Sequence, residues 1–231
     1  MASDMTRLLH LLQFSDSAFP VGTFSFSNGL ETASYEGLVT DADTLEQFTR
    51  SAVIQAAYSD GVAALLAHRA VNRKAYDEIV NIDRTIMLFK MNAESRMMLQ
   101  RMGKKLAELG VRLFPESEIL RRWLSDINAG TTPGSYPVAQ AIVFAEAGLD
   151  ERQLYTSHQF GVANMIVSAA LRCVRVSHYD TQLILMHLSD EIDGHFELAS
   201  KMTLDDMNSF VPEMDIFASL HEKGKMRMFM N

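Results

Sequence analysis

The chain has 231 residues, 48% of them hydrophobic and 22% charged, with a net charge of −8. That balance suits a folded core of sizeable volume rather than a disordered chain. It argues against a broad nucleic-acid surface, which needs clustered cations, and the Lys104-Lys105 and Arg121-Arg122 pairs are too short to change this. The single Cys173 and the lack of a CxxC pair leave no internal disulfide, so a reducing compartment, by default the cytoplasm, is expected.

Along the chain, the opening MASDMTRLLHLLQF is interrupted by Asp4, Arg7 and His10 and lacks the unbroken apolar core of a signal peptide. The stretch FSDSAFPVGTFSFSNGLETASYEGLV, residues 14 to 39, then packs turn formers and rings between two helices. Pro20 and Gly22 break the first helix, because proline fixes φ and lacks an amide hydrogen while glycine permits positive φ. Phe24-Ser25-Phe26-Ser27 alternates ring and hydroxyl ahead of Asn28, the expected N-cap of a helix carrying Leu30 and Glu31. The serines have no base beside them, so their expected role is backbone hydrogen bonding, with the rings serving the core or a partner surface.

Asp43 and Glu46 have capping-box spacing and start a long helix with Leu45, Phe48, Ala52 and Ala56 on one face. Further helices are expected through 74–89, 92–109 and 116–127, before the turn-rich segment 128–137, read as a loop within one domain. A short helix follows from Pro137 to Ala147, and Asp150 with Gln153 caps the next. There Phe160, Ala163, Val167, Ala170 and Val174 form the expected buried stripe, with Ser157, Gly161 and Ser168 permitting close helix approach. The most apolar window, 162–176, contains Asn164 and Arg172 and falls short of the roughly 20 residues that span a bilayer. No strand is expected. The fold class is all-α, one domain over residues 1–231 with about ten helices and a tail over 223–231 able to fray or to dock.

Catalytic motifs are missing: there is no GxSxG, HExxH or GxGxxG, and Gly22 to Gly29 is followed by no Lys-Ser/Thr pair that would serve a triphosphate. The one candidate metal cluster is His187, Asp190, Glu191 and His195. Imidazole and carboxylate suit zinc or nickel, yet a solvated helix end is the simpler reading. In the tail, an amphipathic helix with Ile216, Phe217 and Leu220 ends before Gly224, and Lys225 to Asn231 then mixes cations with Met and Phe. This is either a frayed end or a docking segment, because Met adapts to irregular surfaces and Arg227 can pair with a carboxylate.

The run PVGTFSFSNGLE, its LLQFSDSAF lead-in and its EGLV exit resemble the opening of the UreF family of urease accessory proteins, which help to install nickel in urease. The resemblance continues through Asn92-Ala-Glu94-Ser-Arg96 with Gly103, Tyr136-Pro137-Val138-Ala139, Ala169-Ala-Leu-Arg172, Asp180-Thr-Gln182, His221-Glu222 and Arg227-Met-Phe229. Two places depart from the family pattern. Residues 175–182 lose a proline and two glycines, and Thr23 stands where a second glycine is common. Phe24 occupies a position that is Tyr or Phe in relatives, so a tyrosine hydroxyl contact is not carried over.

The resemblance implies an all-helical, dimeric, non-enzymatic factor in the cytoplasm. It bridges a UreD/UreH-type scaffold and a UreG-type GTPase, regulates that GTPase and helps to deliver nickel to apo-urease. No tightly bound cofactor is implied, only nickel in transit; neither nucleic acid nor membrane is a partner. Partner-binding residues implied are Phe24, Ser25, Ser27 and Glu31, with Arg227 and Phe229 organising the tail, His221 and Glu222 in the C-terminal signature, and Asp180 and Gln182 beside the altered turn. A direct nickel carrier through residues 187–195 and a general helical adaptor are the competing readings.

Overall fold

The computed structural model describes residues 3–208, 211–222 and 227–230; among them every regular element is helical. The α-helices are α1 (Asp4–Ser15), α2 (Leu30–Tyr35), α3 (Ala42–Tyr58), α4 (Asp60–Asn72), α5 (Tyr76–Leu88), α6 (Ala93–Leu113), α7 (Glu118–Ala129), α8 (Tyr136–Glu146), α9 (Glu151–Cys173), α10 (His178–Ser189), α11 (Ile192–Ala199) and α12 (Pro212–His221). A 3-10 turn, Thr23–Ser25, lies between α1 and α2. None of these helices is long and apolar enough to cross a membrane.

Two helices organise the rest. α8 is buried continuously from Pro137 to Phe144 and packs against α4 and α6, while α9 runs alongside α1, α3 and α4. One core gathers Trp123, Tyr155 and Phe144 with the apolar faces of α4, α5, α6 and α8. The second fills the space between α2, α3, α9 and α10 around Leu30, Leu45 and Ile166, and it includes Phe229 from the tail. The loop 128–137 is fastened to the first core by Asp83 of α5. Its fully buried carboxylate accepts from Thr132 Oγ1 at 2.7 Å and from the amides of Gly134 and Ser135, each at 2.8 Å. Asp83→Ala should therefore cost about 3 kcal/mol in a denaturant titration, because it leaves two backbone donors and a hydroxyl without their acceptor.

Several local expectations are corrected. Asp41, not Asp43, caps α3: its carboxylate accepts from the Thr44 amide while the Thr44 hydroxyl accepts from the Asp41 amide. Glu46 is thereby freed to pair with Arg50 and His187. Asn28 adopts positive φ (54°) and Gly29 precedes α2, with the Ser27 hydroxyl accepting from the Glu31 amide at 3.4 Å. The expected buried stripe of α9 holds at Ala163, Val167 and Ala170, but Phe160 is exposed. In that first half the buried line runs through Tyr155 and Gln159, which cover Gly61 of α4, so the close approach is made by Gly61 rather than by Gly161. On α12 the buried line is Met214, Ala218 and His221; Ile216 and Leu220 face outward. α6 extends past 109 to Leu113.

Candidate functional site

Four segments distant in sequence converge at one end of the bundle. The opening loop leaves α1, passes Gly22 (φ 90°) and turns through Asn28 and Gly29 into α2. Gly29 has φ 82°, and a β-carbon there would lie 3.3 Å from both the Ala218 amide nitrogen and Phe217 Cβ, so α12 can rest directly on the start of α2. α6 begins nearby: Asn92 caps the Ser95 amide, and Glu222, just past α12, accepts from the Ala93 amide at 2.8 Å and the Glu94 amide at 3.3 Å. A carboxylate at that helix N-terminus satisfies free amides and complements the helix dipole.

Between these elements sits His221, only 3% exposed, with Nδ1 2.7 Å from Glu94 Oε2 and Nε2 2.9 Å from Glu31 Oε2. The other oxygen of Glu94 accepts from Arg227 Nη1 at 2.7 Å. Glu31 also accepts from the backbone of the tail, from the Met228 amide at 2.7 Å and the Phe229 amide at 3.1 Å. Burial works to raise the Glu31 carboxyl, but the His221 ring and the two amides outweigh it and hold it below the usual carboxylate range. One residue beyond, the Met230 amide donates to the Ser25 carbonyl at 2.8 Å.

Arg172 of α9 completes the arrangement. Its guanidinium lies between two rings, 4.1 Å from the Phe24 centroid and 3.9 Å from that of Phe229, and donates to the Phe24 carbonyl at 3.0 Å. The planar cation so joins the opening motif to the tail by stacking on both. Phe229 is 5% exposed and Phe24 is 70% exposed. The outward face is therefore Phe24, Met228 and Met230, held up by a partly buried lattice of charge-assisted hydrogen bonds.

Eight of the sequence-derived candidates meet here: Phe24, Ser25, Ser27, Glu31, His221, Glu222, Arg227 and Phe229. Ser27, His221 and Phe229 are buried, so they shape the surface instead of forming it. Asp180 and Gln182 lie elsewhere. Asp180 belongs to the capping box of α10 with Ser177, and Gln182 is exposed on that helix. The altered stretch 175–182 thus serves to start α10. The expected tail falls partly outside the described residues, which omit 223–226 and 231.

The suggested metal cluster is divided among separate partners. His187 Nδ1 is 2.9 Å from Glu46, Glu191 pairs with Arg50, and His195 Nδ1 is 2.8 Å from the Tyr58 hydroxyl. Among the described residues no three His, Cys, Asp or Glu side chains are grouped to hold a metal ion. Sequence reasoning passed over Glu94 and Arg172 as site residues, although both lie within stretches that carry the resemblance. Each looks ordinary in its own helix; their role exists only in the assembled structure.

Beneath the opening loop lies a cavity of about 80 Å³ lined by Thr23, Asn28, Asp60, Lys90, His158 and Asp215 together with apolar groups. Burial alone would raise the Asp60 carboxyl, but the Lys90 ammonium paired with it holds it below the usual range. Burial pushes His158 down to about 4, keeping it neutral, and pushes the Asp215 carboxyl up.

The sequence model of the UreF family matches residues 39–189. The chain is 44% identical over 230 residues to the urease accessory protein UreF of Yersinia enterocolitica, covering 100% of this chain and 99% of that one. It is 46% identical over 224 residues to the urease accessory protein UreF 2 of Brucella canis, covering 97% and 92%.

Proposed function

Since the chain belongs to the UreF family of urease accessory proteins, we propose that it bridges a UreD/UreH-type scaffold and a UreG-type GTPase while nickel is delivered to apo-urease. In this reading it is a dimeric cytoplasmic factor without catalysis of its own. It acts by binding one conformation of the GTPase better than another, which is the only way a partner can shift such an equilibrium. Nickel is cargo in transit.

The observation that supports this reading is the joining of opening motif and tail into one surface. Phe24, Met228 and Met230 are presented by residues that are themselves buried or paired. Exposed rings and thioethers on a rigid base are the kind of patch that proteins use as a central anchor in an interface. The carboxylates and Arg227 beneath it fix its shape, so binding need not first order the tail.

Co-purification with both partners tests the proposal, comparing the full chain with one ending at Gly224. The shortened chain should lose the complex while circular dichroism shows its helices intact, because Phe229 and the Glu31 contacts leave with the tail. Assembly by both forms would remove the tail from the docking surface, and unchanged GTP hydrolysis by the partner would sink the regulatory part.

A further inference from the structure

α12 ends on a histidine whose two ring nitrogens both point at carboxylate oxygens, at 2.7 Å and 2.9 Å. A neutral imidazole offers one donor and one acceptor, whereas an ionised carboxylate only accepts. The remaining contacts of Glu31 come from the Met228 and Phe229 amides, which only donate, and the remaining oxygen of Glu94 faces Arg227. The bridge is therefore built for an imidazolium that donates from both sides. We propose that the proton on His221 is a latch: with it the segment 227–230 is held on the opening motif, and without it that segment lifts away.

The charge balance explains why one proton decides this. The groups facing the ring are Glu31 from α2 and Glu94 from α6, with Arg227 from the tail on the far oxygen of Glu94. Glu222, next to His221 in the chain, is directed at the start of α6, and Arg172 of α9 acts electrostatically on Glu31. Among the described residues, the protonated cluster sets His221 and Arg227 against Glu31 and Glu94. Deprotonated, it sets a nitrogen lone pair against a carboxylate oxygen at hydrogen-bond distance and removes one of those two cations. Glu31 holds both the ring and the tail amides, so any adjustment that relieves the repulsion also draws the acceptor away from Met228 and Phe229.

The direction with pH follows. The Glu31 carboxyl, held below its ordinary value, contributes at neutral pH and loses its contribution as pH falls through the folded value. The latch is closed while the ring carries a proton on each nitrogen and opens by the loss of one of them. This holds whether or not the tail surface docks a partner.

The test is made on the full chain by nitrogen-15 NMR between about pH 6 and about pH 9, a span that covers histidine titration. It reads the His221 ring nitrogens and the exchange of the Met228 and Phe229 amides, corrected for intrinsic rate. Two protonated ring nitrogens are expected at the acidic end, and protection of Phe229 should fall about 10-fold or more as the ring deprotonates. His221→Gln, which can donate from one nitrogen only and does not titrate, should abolish that pH dependence while circular dichroism stays unchanged. A neutral His221 beside a protected tail, or a His221→Gln chain that keeps the wild-type pH profile, overturns the proposal. The wild-type ring signals decide the matter even if the variant does not fold.

Discussion

Gly103→Ala should lower stability by about 4 kcal/mol, a large part of what a domain of ordinary stability has to lose. Gly103 sits in the middle of α6 where the loop before α8 crosses it. A β-carbon there would lie 2.0 Å from the Gly134 carbonyl oxygen and 2.6 Å from the Ser135 carbonyl carbon. Backbone, unlike a side chain, cannot swing aside, and this stretch is also tied to Asp83 by the Gly134 and Ser135 amides. Either α6 separates from α8, exposing Leu106, Ala107 and the buried face of α8, or the three Asp83 bonds break. Both routes exceed the loss that ordinary overpacking causes. Denaturant unfolding compared with Gly161→Ala, where nothing lies within 4 Å of the added carbon, checks the result. Equal stability of the two variants would show that the α6–α8 crossing is looser than described.

Glu31→Gln is the corresponding change for the site. It keeps size and shape, yet it removes the charge that His221 faces and replaces one of two accepting oxygens with a donor. The carboxylate serves His221 Nε2, the Met228 amide and the Phe229 amide together, so at least one donor must lose its partner. Hydrogen bonds to a charged group contribute about 1.5 to 3 kcal/mol each, so the docked tail should become less populated by about 100-fold. Amide exchange at Phe229 reads this directly, and co-purification with the scaffold partner reads its consequence. Thermal unfolding should change far less, because the first core lies outside the affected region. An unaltered Phe229 exchange rate would mean that Arg172 stacking and burial of the ring suffice to hold the tail.

Much of the helical frame could be read from local signals. The Asp150–Gln153 box and Pro137 at the start of α8 are each decided within a few residues, and the structure has both where expected. The α3 start was misplaced by two residues because Asp41–Thr44 and Asp43–Glu46 have the same spacing, and only the path of the incoming chain separates them. The site was half legible. Phe24, Glu31, His221, Arg227 and Phe229 came from resemblance, while the contacts that join them cross 190 or more residues in the cases of Glu31 with His221, Met228 and Phe229. No periodicity spans such a distance. The outward placement of Phe160, Ile216 and Leu220 was missed for a related reason. Helical spacing names an apolar stripe, but the neighbouring helix decides which part of it is covered.

The sandwich of Arg172 between Phe24 and Phe229 also sets a timetable. A chain made from its N-terminus presents Phe24 and Glu31 early, then Glu94 and Arg172, and only after position 220 the residues that neutralise and cover them. Until residues 227–230 have left the ribosome, Glu94 stands without Arg227, Glu31 without the two tail amides, and one face of Arg172 is bare. The surface forms only after residues 227–230 have been made and have folded back onto the opening motif, so a chain interrupted before them lacks that patch altogether.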